Sequence, residues 1–140
     1  QRRAAYTALR HGFSDVVPNT VPVTPLSLAR RICGEGFSPN TVLNHLIIAC
    51  PSPMDQWLRS IITSDFSDVE RRMFVQFASG SSLLPLPGKR RIHVGTHAGA
   101  LCRASTCSYS VLVPAAASSK EDLRRSIVAS FAAIGNFGVA

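Results

Sequence analysis

Cys107 is the residue of this chain best placed for chemistry. It ends the loop-like stretch "THAGALCRASTC" and precedes "YSVLVP", an apolar, β-branched run, so its thiol can stand exposed at the start of a strand. A thiol acts as a nucleophile in its thiolate form, and nearby positive charge favours that form. From Arg71 to Lys120 the chain has no Asp or Glu, while Lys89, Arg90, Arg91 and Arg103 fall inside that stretch. The competing reading is a buried, inert thiol, the usual state of a free cysteine.

Other chemistries fit less well. His93 and His97, with Cys102 and Cys107, offer zinc-type donors. The i,i+4 histidine spacing needs a helix, however, and "RIHVGTHAG" with its two glycines is a poor one; the cysteines lack knuckle spacing. No metal and no cofactor is expected. Cys–His hydrolysis with His93 or His97 as base lacks an orienting carboxylate nearby in the chain. "ASGSS" is not a nucleophile elbow, and Gly80 with "GK" at 88–89 lacks phosphate-loop spacing.

The 140 residues suit one ordinary domain or a piece of a larger protein, and the opening Gln rather than Met suggests a fragment. A hydrophobic content of 46% can supply a core. No apolar run approaches the roughly 18–20 residues that span a bilayer, and "VLNHLIIAC" is short and carries a His. There is no secretory signal, and four loosely spaced cysteines do not make a disulfide framework. An intracellular protein, cytoplasmic or nuclear, is expected. The net charge of +7 permits an acidic partner. The Arg pairs at 2–3, 30–31, 71–72, 90–91 and 124–125 are scattered over separate elements, which makes nucleic acid an unlikely partner.

The elements that must position Cys107 are punctuated clearly. Thr24 with Pro25, Ser38 with Pro39, and Ser52 with Pro53 each open a helix, and Gly34 ends the first of these. "SPNTVLNHLII" reads as helix to its end. "SDVERRMFVQFASG" has a Ser67–Glu70 capping box, a buried face of Val69, Met73, Phe74 and Phe77, and a stop at Gly80. "SSLLPLPGKR" is a connector, "RIHV" and "YSVLVP" are strands, and Pro114 closes the second. Ser118 opens the last helix, whose buried face is Leu123, Ile127, Val128, Phe131 and Ile134. Helices followed by strands and a helix argue α+β. The "PSP" at 51–53 reads equally as a hinge or as a plain helix–helix turn.

These stretches, taken in order, resemble one family. "FVQFASGSSLLPLPG" resembles the L-Q-F-x-T-G-S/T-x-x-x-P-x-x-G segment of HECT-type ubiquitin ligases, and "LCRASTCSYSVLVP" resembles that family's L-P-x-A-x-T-C-x-N-x-L-x-L-P, which carries its catalytic cysteine. "SSKEDLRRSIVASFAAIGNFGVA" is similar to the closing helix and tail, with Phe137 at the place of a phenylalanine four residues from the end. "LRHGFSDVVP" and "LARRICG" resemble the end of the larger N-terminal lobe, and "MDQWLRSII" the helix that opens the C-terminal lobe. The chain departs from the pattern at four places. Cys102 replaces a Pro, Ser105 a common His, Tyr109 an Asn, and "AAASS" the usual Tyr after Pro114.

The resemblance implies a small β-sheet surrounded by helices in a C-lobe at 51–140, preceded at 1–50 by helices from the end of the N-lobe. It implies that Cys107 accepts ubiquitin as a thioester from a ubiquitin-conjugating enzyme and passes it to a lysine of a protein substrate. Arg103 and Thr106 would shape the loop and its charge. Ser105 can donate a hydrogen bond but cannot act as a base. Phe137 would dock between the lobes. The conjugating enzyme would bind the missing part of the N-lobe, leaving the fragment catalytically incomplete and residues 1 to about 50 loosely packed. The alternative is a non-catalytic module that binds ubiquitin or another protein, or an inactive ligase.

Overall fold

A computed structural model describes residues 2–16, 24–33, 36–85, 88 and 90–133. Phe137, Ile134 and Gly34 therefore lie outside the described residues. The chain forms two compact units, Gln1–Ile32 and Cys33–Ala140.

The first unit holds helix α1 (Arg2–Val16) and most of α2 (Pro25–Cys33). Thr24 caps α2 as expected, its Oγ1 accepting the Ser27 N–H at 3.1 Å. Tyr6, Leu9 and Leu26 are exposed.

The second unit begins with α3 (Pro39–Asn44), capped by Ser38 through the Thr41 N–H. The helix ends there. Leu46–Ile48 is strand β1 and not a continuation of the helix. A short apolar run reads the same in either state, and here the backbone of β2 decides: β1 pairs with it in parallel, Leu46 to Ile92 and Ile48 to Val94. Val42, His45 and Leu46 are buried, so residues 39–48 are well packed. Residue 50 falls inside this unit, and residues on both sides of the Pro-Ser-Pro turn, Val42 and Leu46 before it and Met54 and Leu58 after it, share one core.

After that turn come α4 (Met54–Ser60), a π-helical turn (Ile61–Asp65), α5 (Asp68–Ser79), β2 (Ile92–His97), β3 (Arg103–Ser105), β4 (Ser110–Pro114) and α6 (Lys120–Ala133). Ser52 does not cap α4; Pro53 takes the N-cap position after a cis peptide bond. The capping box of α5 forms as the sequence indicates, with the Ser67 N–H donating to Glu70 Oε2 at 2.8 Å and the Glu70 N–H to Ser67 Oγ at 3.2 Å. Helix α6 is capped one residue later than expected, by Ser119, whose Oγ accepts the Asp122 N–H at 3.1 Å.

The sheet has the order β1-β2-β4-β3, with β1, β2 and β4 parallel and β3 antiparallel to β4. Ile48, Val94, Val111 and Ala104 share one register row, and the helices pack on this face; Ile47, His93, Ser110 and Ser105 form the next row, on the opposite face. The core beneath is aromatic, with Phe66, Phe74, Phe77 and Phe131 ring centroids 6.0 to 6.5 Å apart. This is an α+β fold, compatible with the C-lobe of a HECT domain.

The buried face of α5 differs from expectation. Phe74, Val75 and Ala78 are buried along with Arg71, while Val69 and Met73 are exposed. Arg71 turns the helix this way because its guanidinium is a hub. It donates to the carbonyl oxygens of Phe37, Ile62 and Phe66 and pairs with Asp68. A buried cation needs such a full set of acceptors.

Candidate active site

Cys107 lies in the turn Thr106–Tyr109 between β3 and β4, and its thiol is exposed. The antiparallel pairing of Arg103 to Leu112 and Ser105 to Ser110 holds the turn at the edge of the sheet. Ser108 Oγ donates to the Ser105 carbonyl at 3.3 Å and lies 2.8 Å from Ser110 Oγ. Tyr109 leaves the turn with φ of 53°, in the left-handed region, and its carbonyl accepts the His93 N–H at 2.8 Å. The turn is therefore tied to β2 as well as to β4.

The other described thiols are different. Cys102 is buried, and burial pushes its pKa up to about 11, against a smaller lowering by a hydrogen bond with Ser130. Cys50 is half-buried and also pushed up to about 11, first by burial and then by the Asp55 carboxylate. Its Sγ donates weakly to the Val94 carbonyl at 3.7 Å. Cys33 lies in α2, and its side chain is outside the described residues.

Arg103 is exposed on β3, and Ser105 ends that strand, also exposed. Thr106 packs against Gly80 at the end of α5, so the "ASG" and "STC" segments meet in space. Of the cations named in the acid-free stretch, Arg90 brings its guanidinium to the turn, 5.0 Å from the Tyr109 ring centroid. No hydrogen bond or ion pair joins Arg103 to the turn among the described residues. Neither does any Asp, Glu or His side chain bond to Cys107 there, so the turn carries an exposed thiol without a base of its own.

The histidines and cysteines weighed for zinc do not converge. Among the described residues no group of three or more His, Cys, Asp and Glu could hold a metal ion. His97 is committed to its own loop: its Nδ1 accepts the Gly99 N–H at 3.1 Å, and its Nε2 meets the Leu101 carbonyl at 2.8 Å. Strand β2, where the sequence suggested a loop after Val94, runs on through His97 and holds the two histidines extended. No described helix is long and apolar enough to cross a membrane.

Two further features support the site. The left-handed backbone at Tyr109 had a signal, because the resembling motif has Asn at that place and Asn tolerates this conformation. The contact of Gly80 with Thr106 joins two stretches that had been quoted separately.

The chain was compared with known proteins. A search of curated proteins finds no match. The family model described as HECT-domain (ubiquitin-transferase) matches residues 1–140. An exposed cysteine on a strand-bounded turn, over an α+β core and within a match of that extent, has one family reading: this chain belongs to the HECT-domain (ubiquitin-transferase) family.

Proposed function

We propose that Cys107 accepts ubiquitin as a thioester from a ubiquitin-conjugating enzyme and transfers it to a lysine of a protein substrate. The observation that carries this reading is the contrast among the thiols: Cys107 is exposed, while burial holds Cys50 and Cys102 in the protonated form. In the first step the Cys107 thiolate attacks the thioester carbonyl, the conjugating enzyme's thiolate leaves, and one thioester replaces another. This exchange has little driving force of its own, so position and thiolate character decide its rate. Arg90, stacked on Tyr109, and the exposed Arg103 provide positive charge on the elements that carry the turn.

In the second step the substrate amine attacks the same carbonyl and must lose a proton. No side-chain base bonds to the turn among the described residues, so the base comes from another part of the full protein or from the substrate complex. On this reading the helices of the unit Gln1–Ile32 come from the lobe that precedes the catalytic one, and their Tyr6, Leu9 and Leu26 are exposed. Phe137 would hold the transfer geometry from the tail.

The test is Cys107→Ser in the full protein, supplied with ubiquitin, its activating enzyme and a conjugating enzyme. Wild type should carry a ubiquitin adduct that reductant removes. The serine variant should carry none, or an ester that reductant spares and alkali cleaves. Identical adducts on both would leave Cys107 a structural thiol. The second reading, a module that binds ubiquitin or another protein without transfer, is favoured by the missing base; it expects binding to survive Cys107→Ser with no adduct on either protein.

A further inference from the structure

Charge is segregated in the second unit. Its described acidic residues lie in α4, the π-helical turn, α5 and α6, and none falls between Arg71 and Lys120. The ion pairs among the described residues belong to the same helical side: Asp55 with Arg59, Asp65 with Lys120, Asp68 with Arg71, and Glu70 with Arg124. Arg90 and Arg91, just before β2, and Arg103 on β3 are exposed, and among the described residues no carboxylate pairs with any of them. The sheet face turned away from the helices carries no acid at all. Ile47, His93, Ser110 and Ser105 form one row of it, and Gly95, Leu112 and Arg103 form the next. Ile47 and Leu112 are each 38% exposed there, whereas Val94 and Val111 on the helical face are buried. Gly95 leaves the space that Leu112 occupies, since a Cβ on it would meet Leu112 Cδ2 at 3.2 Å. The outer face is thus an apolar strip with an arginine at its rim, and it begins at the turn that carries Cys107.

We propose that the outer face of the sheet docks an acidic, apolar segment of the protein substrate next to the lysine that receives ubiquitin, with Arg103 as a specificity-determining residue. Ser105 and Ser110 border the Cys107 turn, and the Arg103–Leu112 pair lies two residues further along the strands, about 7 Å away. A substrate carboxylate held at Arg103 therefore leaves a lysine two or three residues along an extended segment within reach of the turn. A guanidinium takes a carboxylate through two parallel N–H donors, which fixes the segment's direction as well as its place. The strip from Leu112 to Ile47 takes the apolar side chains that alternate with the acidic ones.

Charge complementarity selects this occupant. A lysine ammonium that approaches without acidic neighbours meets like charge from Arg90, Arg91 and Arg103, and no carboxylate of the sheet offsets it. Asp or Glu beside that lysine reverses the sign of the encounter. The face matches a protein segment better than a nucleic acid. Its two rows hold no Phe, Tyr or Trp on which a base could stack, and the Tyr109 ring nearby is already covered by Arg90. The exposed Ile47 and Leu112 match apolar side chains and not a phosphate backbone.

The role of this face in transfer rests on Cys107 being the acceptor, whereas docking on it does not, so the two are tested apart. For docking, the 140-residue chain labelled with nitrogen-15 is titrated with a short peptide in which Glu and Leu flank a single Lys, and with the same peptide carrying Gln for Glu. The amides of Ile47, His93, Arg103 and Leu112 should shift with the Glu peptide. It should bind about fivefold tighter than the Gln peptide at low salt, as expected for one well-placed exposed ion pair. That margin should close at about 1 M salt, where charges are screened within a few ångströms. Arg103→Gln should close it as well; if that variant does not fold, the salt series on wild type decides alone. Equal binding of the two peptides, or shifts confined to other elements, overturns the proposal. So does a single-stranded oligonucleotide or free ubiquitin that shifts the same amides more strongly than the Glu peptide. For transfer, the full protein already carrying ubiquitin is mixed with each peptide in a single turnover. The Glu peptide should discharge it about fivefold faster, and Arg103→Gln should bring the ratio of the two rates towards one. Equal rates in wild type would overturn the role in transfer. If Cys107 carries no ubiquitin, the acceptor reading fails, and the docking titration still decides the face by itself.

Discussion

Gly80 and Thr106 are in contact across 26 residues of sequence: a Cβ placed on Gly80 would lie 3.3 Å from both Cβ and Cγ2 of Thr106. The same glycine closes α5 with φ of 71°, a left-handed cap that a residue with a side chain adopts at a cost. Two demands therefore meet at one position, one from the helix and one from the residue that precedes Cys107. Gly80→Ala should lower stability by about 1–2 kcal/mol through the backbone alone, read as a shift of the urea midpoint. It should also displace Thr106. Combining it with Thr106→Ala should recover part of the loss, since the crowded methyl is gone while the strained φ remains. Strict additivity of the two single changes would show that the contact is not felt.

Cys107 should be the first of the described thiols to react. Cys50 and Cys102 are held at about 11, so at pH 8 only about a thousandth of each is thiolate. In a time course with iodoacetamide on the native chain, peptide mass spectrometry should find Cys107 modified well before either. Urea should make all three reactive together. The same shifts have a stability consequence. Both thiols ordinarily titrate near 9.0 and do so near 11 when folded, so the unfolded chain releases their protons first. Their contribution is fully present below pH 9 and is lost as the pH rises towards 11. Equal reactivity of Cys102 and Cys107 at pH 8 would contradict the packing around Ser130.

Much of the scaffold was legible in the sequence because its signals are local. Thr24, Ser38 and the Ser67–Glu70 pair cap helices as their spacing indicates, Gly80 ends α5, and Val111 and Val113 alternate with exposed Leu112. What was not legible depends on partners far along the chain. Strand β1 is three residues long and acquires its identity from β2, 46 residues away in register. Val69 and Met73 look like core and are exposed, because Arg71 turns toward carbonyl acceptors that only the fold brings together. At the site, Cys107 was marked by its motif. The Gly80 contact and the Arg90 stack each join residues far apart in the chain.

Glu70 couples acid to the packing of α5 on α6. Its carboxyl is held below the usual range, first by the Ser67 N–H and then by the Ser67 hydroxyl, with Arg124 and Arg71 adding to the effect against the opposing influence of burial. Its other oxygen binds Arg124 on α6 at 2.8 Å. A lowered folded value means that this stability is present above the ordinary carboxylate pKa and is lost as the pH falls through the folded one. Glu70→Gln should keep part of the capping box, lose the charge, and cost about 1 kcal/mol at neutral pH. The difference from wild type should shrink as the solution is acidified. A gap that stays constant from pH 7 to about pH 2 would mean that the charge contributes nothing.

Tyr109 holds two opposing features in one residue. Its φ of 53° disfavours a tyrosine by roughly 1 kcal/mol or more, while its ring receives the Arg90 guanidinium at 5.0 Å, an interaction of about 0.5–1 kcal/mol at an exposed site. Asn, the residue at this place in the motif that the chain resembles, tolerates the left-handed backbone but offers no ring. Tyr109→Asn should therefore change stability by less than about 1 kcal/mol, because the two effects oppose each other. Tyr109→Val should cost more, since a β-branched side chain is worse at positive φ and the ring is lost as well. The two variants separate backbone from ring in function too. If the stack with Arg90 positions the Cys107 turn, Tyr109→Asn in the full protein should slow formation of the reductant-sensitive adduct while the urea midpoint barely moves. Tyr109→Phe, which keeps the ring, should load at the wild-type rate. Equal loading by all four proteins would show that the turn is set by its hydrogen bonds to Ser105 and His93 alone.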